Sequence, residues 1–243
     1  MYIVKRYVRV RKQPPHRDKI KVMRVKKLLA ENSLGLCMFV LFFVFLIGVS
    51  IAGHNYQNEQ LAAHGSPAQN YVQYIASGEF IEAVFENWES EFLQMATLVI
   101  GTIFLRQKGS ADSKKLRGKN SVDTSSRYSI IHASTWARRG KAAWHIIYDN
   151  SLSLALIALF LVSFALHAFG GVAAYNDEAL QHGEAALQVW QYIGTAQFWF
   201  ESFQNWQSEF LAVGTLLVLS IFLRQRGSPE SKPIGEPNAK TGS

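Results

Sequence analysis

A chain of 243 residues with 25 Lys and Arg against 18 Asp and Glu carries a formal net charge of +7, and that balance alone admits a nucleic-acid binder. The distribution of the cations argues against it and for anionic lipid headgroups: none falls between Lys27 and Arg106 or between Lys141 and Arg224. A soluble domain spreads its cations over its whole surface, whereas banding of this kind marks a membrane protein whose basic segments stay on one side.

Residues 1–27 hold eleven of the cations and read as a basic cytoplasmic tail. Val22–Leu29 mixes Lys and Arg with Val, Met and Leu, the pattern of a short interfacial helix or of an orientation signal alone. Leu34–Gly53 is uncharged. Its length gives about 30 Å of helix, enough to cross a bilayer. Asn32-Ser33 supplies a helix-start signal before it. The run is too long for a signal-peptide core, and its counterpart Leu152–Gly171 lies mid-chain where no signal peptide acts. The single cysteine, Cys37, sits inside this run, so no intrachain disulfide forms and nothing activates the thiol. Past Gly53 the helical pattern continues to His64, where Gly65 suits the terminating position. Ser77 and Thr195 are the expected caps of the helices that follow.

Asn87-Trp88-Glu89-Ser90-Glu91-Phe92-Leu93 recurs as Asn205-Trp206-Gln207-Ser208-Glu209-Phe210-Leu211. The offset of 118 positions holds without a gap from Asn32/Asn150 to Lys114/Lys232, with about four positions in ten identical. The apolar run after the motif, Phe92–Leu105, is short for a span. Charge decides that it crosses, because only crossing returns Arg106 and the basic linker to the side of the N-terminal tail. The sequence therefore predicts an all-α integral membrane protein with four transmembrane helices, at about 34–53, 86–105, 152–171 and 204–223. They form two parallel-orientation helical-hairpin repeats, 28–114 and 146–232, related by a pseudo-twofold axis along the membrane normal. A basic cytoplasmic linker, 115–145, joins them, with an interfacial mixture of aromatic and basic residues from Trp136 to Trp144. A disordered Pro- and Gly-rich tail, 233–243, follows. Both termini are cytoplasmic.

A span of about 30 Å ending at Arg106 begins near Glu86, which places Glu91 below the outer hydrocarbon boundary and Asn87 and Ser90 close to it. Asn205, Ser208 and Glu209 occupy the same positions in the second copy. An ionisable group at that depth is rarely left facing lipid. Glu91 and Glu209, with Asn87, Asn205, Ser90 and Ser208, are thus the candidate site for a proton or small cation. The competing reading is structural: Asn, Ser and Glu hydrogen-bond across helices and fix register. His54, His64, His167 and His182 lie on or near the outer side and read as helix-end histidines, since no His-x3-His pair or Cys ligand accompanies them. Eleven acids and no Lys or Arg fall in 54–91 and 172–209, a bias that draws cations to the outer face. No phosphate loop, His-Glu-x-x-His or nucleophile elbow is present, so neither an enzyme nor any metal or cofactor is expected.

The repeated Asn-Ser-Leu opening, the Asn-Trp-x-Ser-Glu-Phe-Leu motif and Phe-Leu-Arg-Gln-Lys/Arg-Gly-Ser resemble an uncharacterised family of bacterial integral membrane proteins, classed as a domain of unknown function. The resemblance covers roughly residues 28–238 and implies a bacterial inner (plasma) membrane location; it implies no activity or ligand. The expected partners are the lipid bilayer, anionic headgroups along the basic inner segments, and a second copy or another membrane protein; nucleic acid is not one. The expected function is structural or accessory, with a proton- or cation-handling transporter or channel using Glu91 and Glu209 as the alternative.

Overall fold

The computed structural model describes residues 17–118, 120–123 and 142–242. The start of the basic tail and most of the Trp136–Trp144 stretch fall outside these residues. Among the described residues every regular element is helical: α1 Arg17–Glu31, α2 Ser33–Ala63, α3 Tyr71–Ile75, α4 Gly78–Phe104, a 3-10 turn at Ser121–Asp123, α5 Ala142–Asp149, α6 Ser151–Gln181, α7 Val189–Ile193 and α8 Ala196–Phe222. The bounds of α2, α3 and α4 recur 118 residues later in α6, α7 and α8.

Two compact units divide the chain, one ending at Ala68 and one beginning at Gln69. In the first, α2 is apolar and bare: Leu34, Phe39 and Phe45 are each about two-thirds or more exposed. Its helix runs past the uncharged stretch and stops at Gly65, whose positive φ of 68° allows Ser66 N–H to close on Leu61 O at 2.9 Å. Gly183 ends α6 in the same way, with Glu184 N–H on Ala179 O at 2.8 Å. Both are left-handed glycine stops. The expected cap at Asn32 is not made. Asn32 Nδ2 instead donates back to Leu28 O of α1 at 2.8 Å, and Asn150 Nδ2 does the same to Ile146 O. Each Asn ties a preceding helix to the next rather than starting one.

In the second unit α4 packs along α6 and, over a shorter length, on α8, while α7 bridges α6 and α8. Glycine sets the closeness of α4 and α6. A Cβ on Gly78 would lie 2.5 Å from Ala174 N and 2.7 Å from Gly170 O, and one on Gly170 would lie 2.6 Å from Glu82 N. Small residues let two helix backbones approach in this way. The connection after α6 is clamped, because Asn176 Oδ1 accepts from Leu187 N–H at 2.7 Å and its Nδ2 donates to Leu187 O at 2.9 Å. Ser77 Oγ and Thr195 Oγ1 cap α4 and α8 by accepting from Phe80 and Phe198 N–H. The core beneath gathers Ala168, Val172, Tyr192 and Phe198.

After α4 and α8 the chain makes the same turn twice: Gln107 N–H donates to Ser113 Oγ at 3.0 Å, and Gln225 N–H to Ser231 Oγ at 2.8 Å. The tail expected to be disordered is held. Lys232, only 2 % exposed, donates to Asn238 O and Lys240 O at 3.0 and 2.6 Å. Thr241 Oγ1 then accepts from Gly109 N–H at 2.8 Å, and Gly242 N–H donates to Ser110 O at 3.0 Å. A Pro- and Gly-rich composition argues against a packed core, but it leaves carbonyls free to wrap one ammonium.

Two helices, α2 and α6, are long and apolar enough to cross a membrane. Helices α4 and α8 have 27 residues each, and α4 carries five acids between Glu79 and Glu91. The sequence reading of four spans is narrowed by apolarity to these two.

Candidate functional site

Ionisable side chains converge where α4, α6, α7 and α8 meet. Glu82, Glu86 and Glu89 follow i, i+4, i+7 spacing and so share one face of α4. His167 comes from the middle of α6 and Tyr192 from α7; Glu201 and Trp206 lie on α8.

At the centre, His167 and Glu89 are both fully buried. His167 Nδ1 donates to Glu89 Oε2 at 2.8 Å, and Trp206 Nε1–H donates to Glu89 Oε1 at 2.9 Å. Each carboxylate oxygen thus has its own donor, and the imidazole is fixed in orientation. The ring also stacks on Phe198, with centroids 4.8 Å apart and planes 24° apart. Phe198 in turn meets Phe164 edge-on, and Trp206 meets Phe160. These rings exclude water and raise the cost of any unpaired charge.

On the other side of the imidazole, Nε2 is buried without a hydrogen bond and lies 3.6 Å from Glu201 Oε2. The Tyr192 hydroxyl stands 2.9 Å from that same Glu201 oxygen and 3.0 Å from Glu82 Oε1. Burial pushes the Tyr192 hydroxyl far above the ordinary phenol range, and Glu82 and Glu201 push it further. It is therefore a donor, with one proton for two carboxylates. Gln197 Nε2 donates to the other Glu201 oxygen at 3.0 Å. Gly171 gives this group its room: a Cβ there would fall 2.6 Å from Tyr192 OH and 2.7 Å from Glu82 Oε1.

The residues singled out from the sequence lie elsewhere. Asn87 is exposed and donates to Ala83 O at 2.8 Å; Asn205 donates to Glu201 O at 3.2 Å and also reaches Glu86 across the α4–α8 contact. Ser90, buried, and Ser208, exposed, donate to Asn87 O and Asn205 O, both at 2.8 Å. Most of these bonds stay on their own helix, so they do not fix register between helices as the structural reading expected. Glu91 is exposed and Glu209 half-buried, close enough for their charges to interact. His64 and His182 cap helix ends as expected. His167 does not: it is the one histidine of the four that lies buried against two carboxylates.

Four members of the cluster break the duplication. Glu82, Glu89, His167 and Glu201 stand opposite Phe200, Gln207, Val49 and Ala83 in the other copy. Tyr192, Trp206 and Phe198 are matched by Tyr74, Trp88 and Phe80. A search for what the copies share finds the aromatic frame and passes over the ionisable site. The usable signal was the reverse, an acid or a histidine on an apolar helix whose counterpart cannot ionise.

No curated protein and no solved structure matches the chain. The family described as Domain of unknown function (DUF6766) matches it over residues 25–243, and the chain belongs to that family.

Proposed function

We propose that this is a four-span membrane protein that handles cations at the Glu82–Glu89–His167–Glu201 cluster. One observation carries the reading: the cluster has more carboxylates than imidazoles and no Lys or Arg to balance them. Three carboxylates face one imidazole, and no Lys or Arg occurs anywhere in 28–105 or 142–223. Even with His167 protonated, ionised Glu82, Glu89 and Glu201 leave an excess of two negative charges. A partly buried excess of that kind is relieved when protons or a cation enter.

The bare apolar surface of α2 and the apolar length of α6 support the membrane setting. With α4 and α8 as further spans, all the basic segments lie inside, in a bacterial inner membrane with both termini cytoplasmic. Counting about 30 Å back from Arg106 then puts Glu89 just inside the outer boundary and Glu82 just above it. The acids of the outer segments draw cations toward that point, while the basic inner segments meet anionic headgroups. This favours cation handling over a purely structural role, and it moves the site from Glu91 and Glu209 to the buried cluster.

Cysteines placed at Gln69 and Lys115, in a Cys37→Ser background, test the topology. An impermeant thiol reagent should label position 69 and spare position 115 in intact cells; labelling at 115 contradicts four spans. Proteoliposomes test the function. Wild-type protein should pass protons or Mn2+ faster than the Glu82→Gln/Glu201→Gln variant, and equal rates for the two contradict transport through this site.

A further inference from the structure

We infer that Glu82, His167 Nε2 and Glu201 together bind one first-row divalent transition-metal ion, with Glu89 as the residue that positions the imidazole. This rests on the cation-site reading above and names its ligand.

Three donor atoms, one from each of Glu82, His167 and Glu201, lie within 4.8 Å of one another. Donors held about 2.1 Å from a single ion stand roughly 3 to 4 Å apart, so small rotations of the two glutamates close the set. The independent pointer is His167 Nε2. It is a polar atom on a fully buried side chain, it has no hydrogen-bond partner, and it faces a carboxylate oxygen at 3.6 Å. When the ring holds a single proton, on Nδ1 and directed at Glu89, Nε2 turns a lone pair toward that oxygen. In that state the two electron-rich atoms repel, and a proton or a metal ion between them removes the conflict.

The surroundings match what a metal-bound histidine needs. Such a residue donates its other ring N–H to a carboxylate, which fixes the tautomer and raises ligand basicity. Here Glu89 takes that proton at 2.8 Å and is itself anchored by Trp206 Nε1–H at 2.9 Å. Tyr192 O–H, between Glu82 and Glu201, holds the two remaining ligands near each other. With His167 neutral and ligating, ionised Glu82, Glu89 and Glu201 carry three negative charges, of which a dication offsets two and a monovalent ion one. One imidazole nitrogen with two carboxylates selects Mn2+, Fe2+, Co2+ or Zn2+ over the all-oxygen preferences of Mg2+ and Ca2+.

The test uses full-length protein in detergent, stripped with a chelator and then titrated with Co2+. The expected result is one Co2+ per chain, visible d–d absorption bands, displacement by Mn2+ or Zn2+, and none by Mg2+. Glu82→Gln, Glu201→Gln and Glu89→Gln should each weaken Co2+ binding about 10- to 100-fold. His182→Ala, which removes a helix-end histidine, should bind as wild type does. The glutamine variants guard against misfolding because they keep side-chain shape, and a wild-type elution profile confirms each. Stripped wild-type protein that takes up no Co2+, or Co2+ affinity unchanged by Glu82→Gln and Glu201→Gln, overturns the site. Proton flux without metal binding also overturns it while leaving the cation reading in place. Metal binding without any flux upholds the site and overturns transport instead.

Discussion

Segments 70–105 and 188–223 share a capping residue at 77 and 195, a short helix ending in Tyr-Ile, a Tyr–Phe edge contact and a 27-residue helix. The ring contacts nearly superimpose in magnitude, 5.5 Å for Tyr74–Phe80 and 5.6 Å for Tyr192–Phe198. They differ in what their long helices carry. Helix α4 brings Gly78, Glu82, Glu86 and Glu89, where α8 has Ala196, Phe200, Gln204 and Gln207. The two segments therefore share a frame of caps and aromatic contacts. The ionisable cluster draws on positions where the segments differ, with α4 giving two carboxylates, α6 the imidazole and α8 the third carboxylate.

The largest effect should come from breaking the buried pair. His167→Leu leaves Glu89 with a buried charge and loses the aligned donor, at a cost of about 3–5 kcal/mol. Thermal unfolding of the purified protein reads it. Replacing Glu89 and His167 by Leu together should recover much of that loss, since both partners then leave at once. Val49, the counterpart of His167 in the first copy, shows that an apolar residue is compatible with this helix position.

The glycine contact comes next. Gly78→Ala and Gly170→Ala each push a Cβ against backbone, within 2.5 and 2.6 Å of a neighbouring nitrogen. Overpacking of this kind costs about 1–3 kcal/mol. The counterparts of these glycines are already Ala196 and Ala52, so the penalty belongs to the α4–α6 contact alone. A silent Gly78→Ala would show that the α4–α6 contact has room for a Cβ.

Trp206→Phe keeps the ring contacts and removes one donor to a buried carboxylate. A hydrogen bond to a charged group is worth about 1.5–3 kcal/mol, and Co2+ affinity should fall with stability because Glu89 loses an anchor. The smallest changes belong to the shared frame. Ser77→Ala and Thr195→Ala should each cost about 1 kcal/mol or less, and by similar amounts, since the two caps make bonds of 3.4 and 3.3 Å.

Much of the fold was legible because its signals are local. Gly65 and Gly183 stop helices by their own φ, Ser77 and Thr195 cap by their own side chains, and uncharged runs measure their own length. The contacts of Lys232 with the tail were not legible, because a buried ammonium bound by backbone carbonyls has no compositional signature. The site was illegible for a different reason. Glu89 and His167 are 78 positions apart and Glu89 and Trp206 are 117, and nothing local ties a glutamate on one helix to a histidine on another. The duplication drew attention to Glu91, which has a twin, and away from Glu89, two residues earlier, which has none.

Comparing Glu89→Gln with Glu91→Gln in one thermal-unfolding experiment tests this most directly. Two donors, His167 Nδ1–H and Trp206 Nε1–H, each hold one oxygen of Glu89, and glutamine has a single oxygen to offer them. Glu89→Gln should therefore destabilise the protein by about 1–3 kcal/mol, whereas Glu91→Gln at an exposed position should stay within about 0.5 kcal/mol of wild type. A silent Glu89→Gln beside a costly Glu91→Gln would contradict the account and return the site to the repeated glutamates.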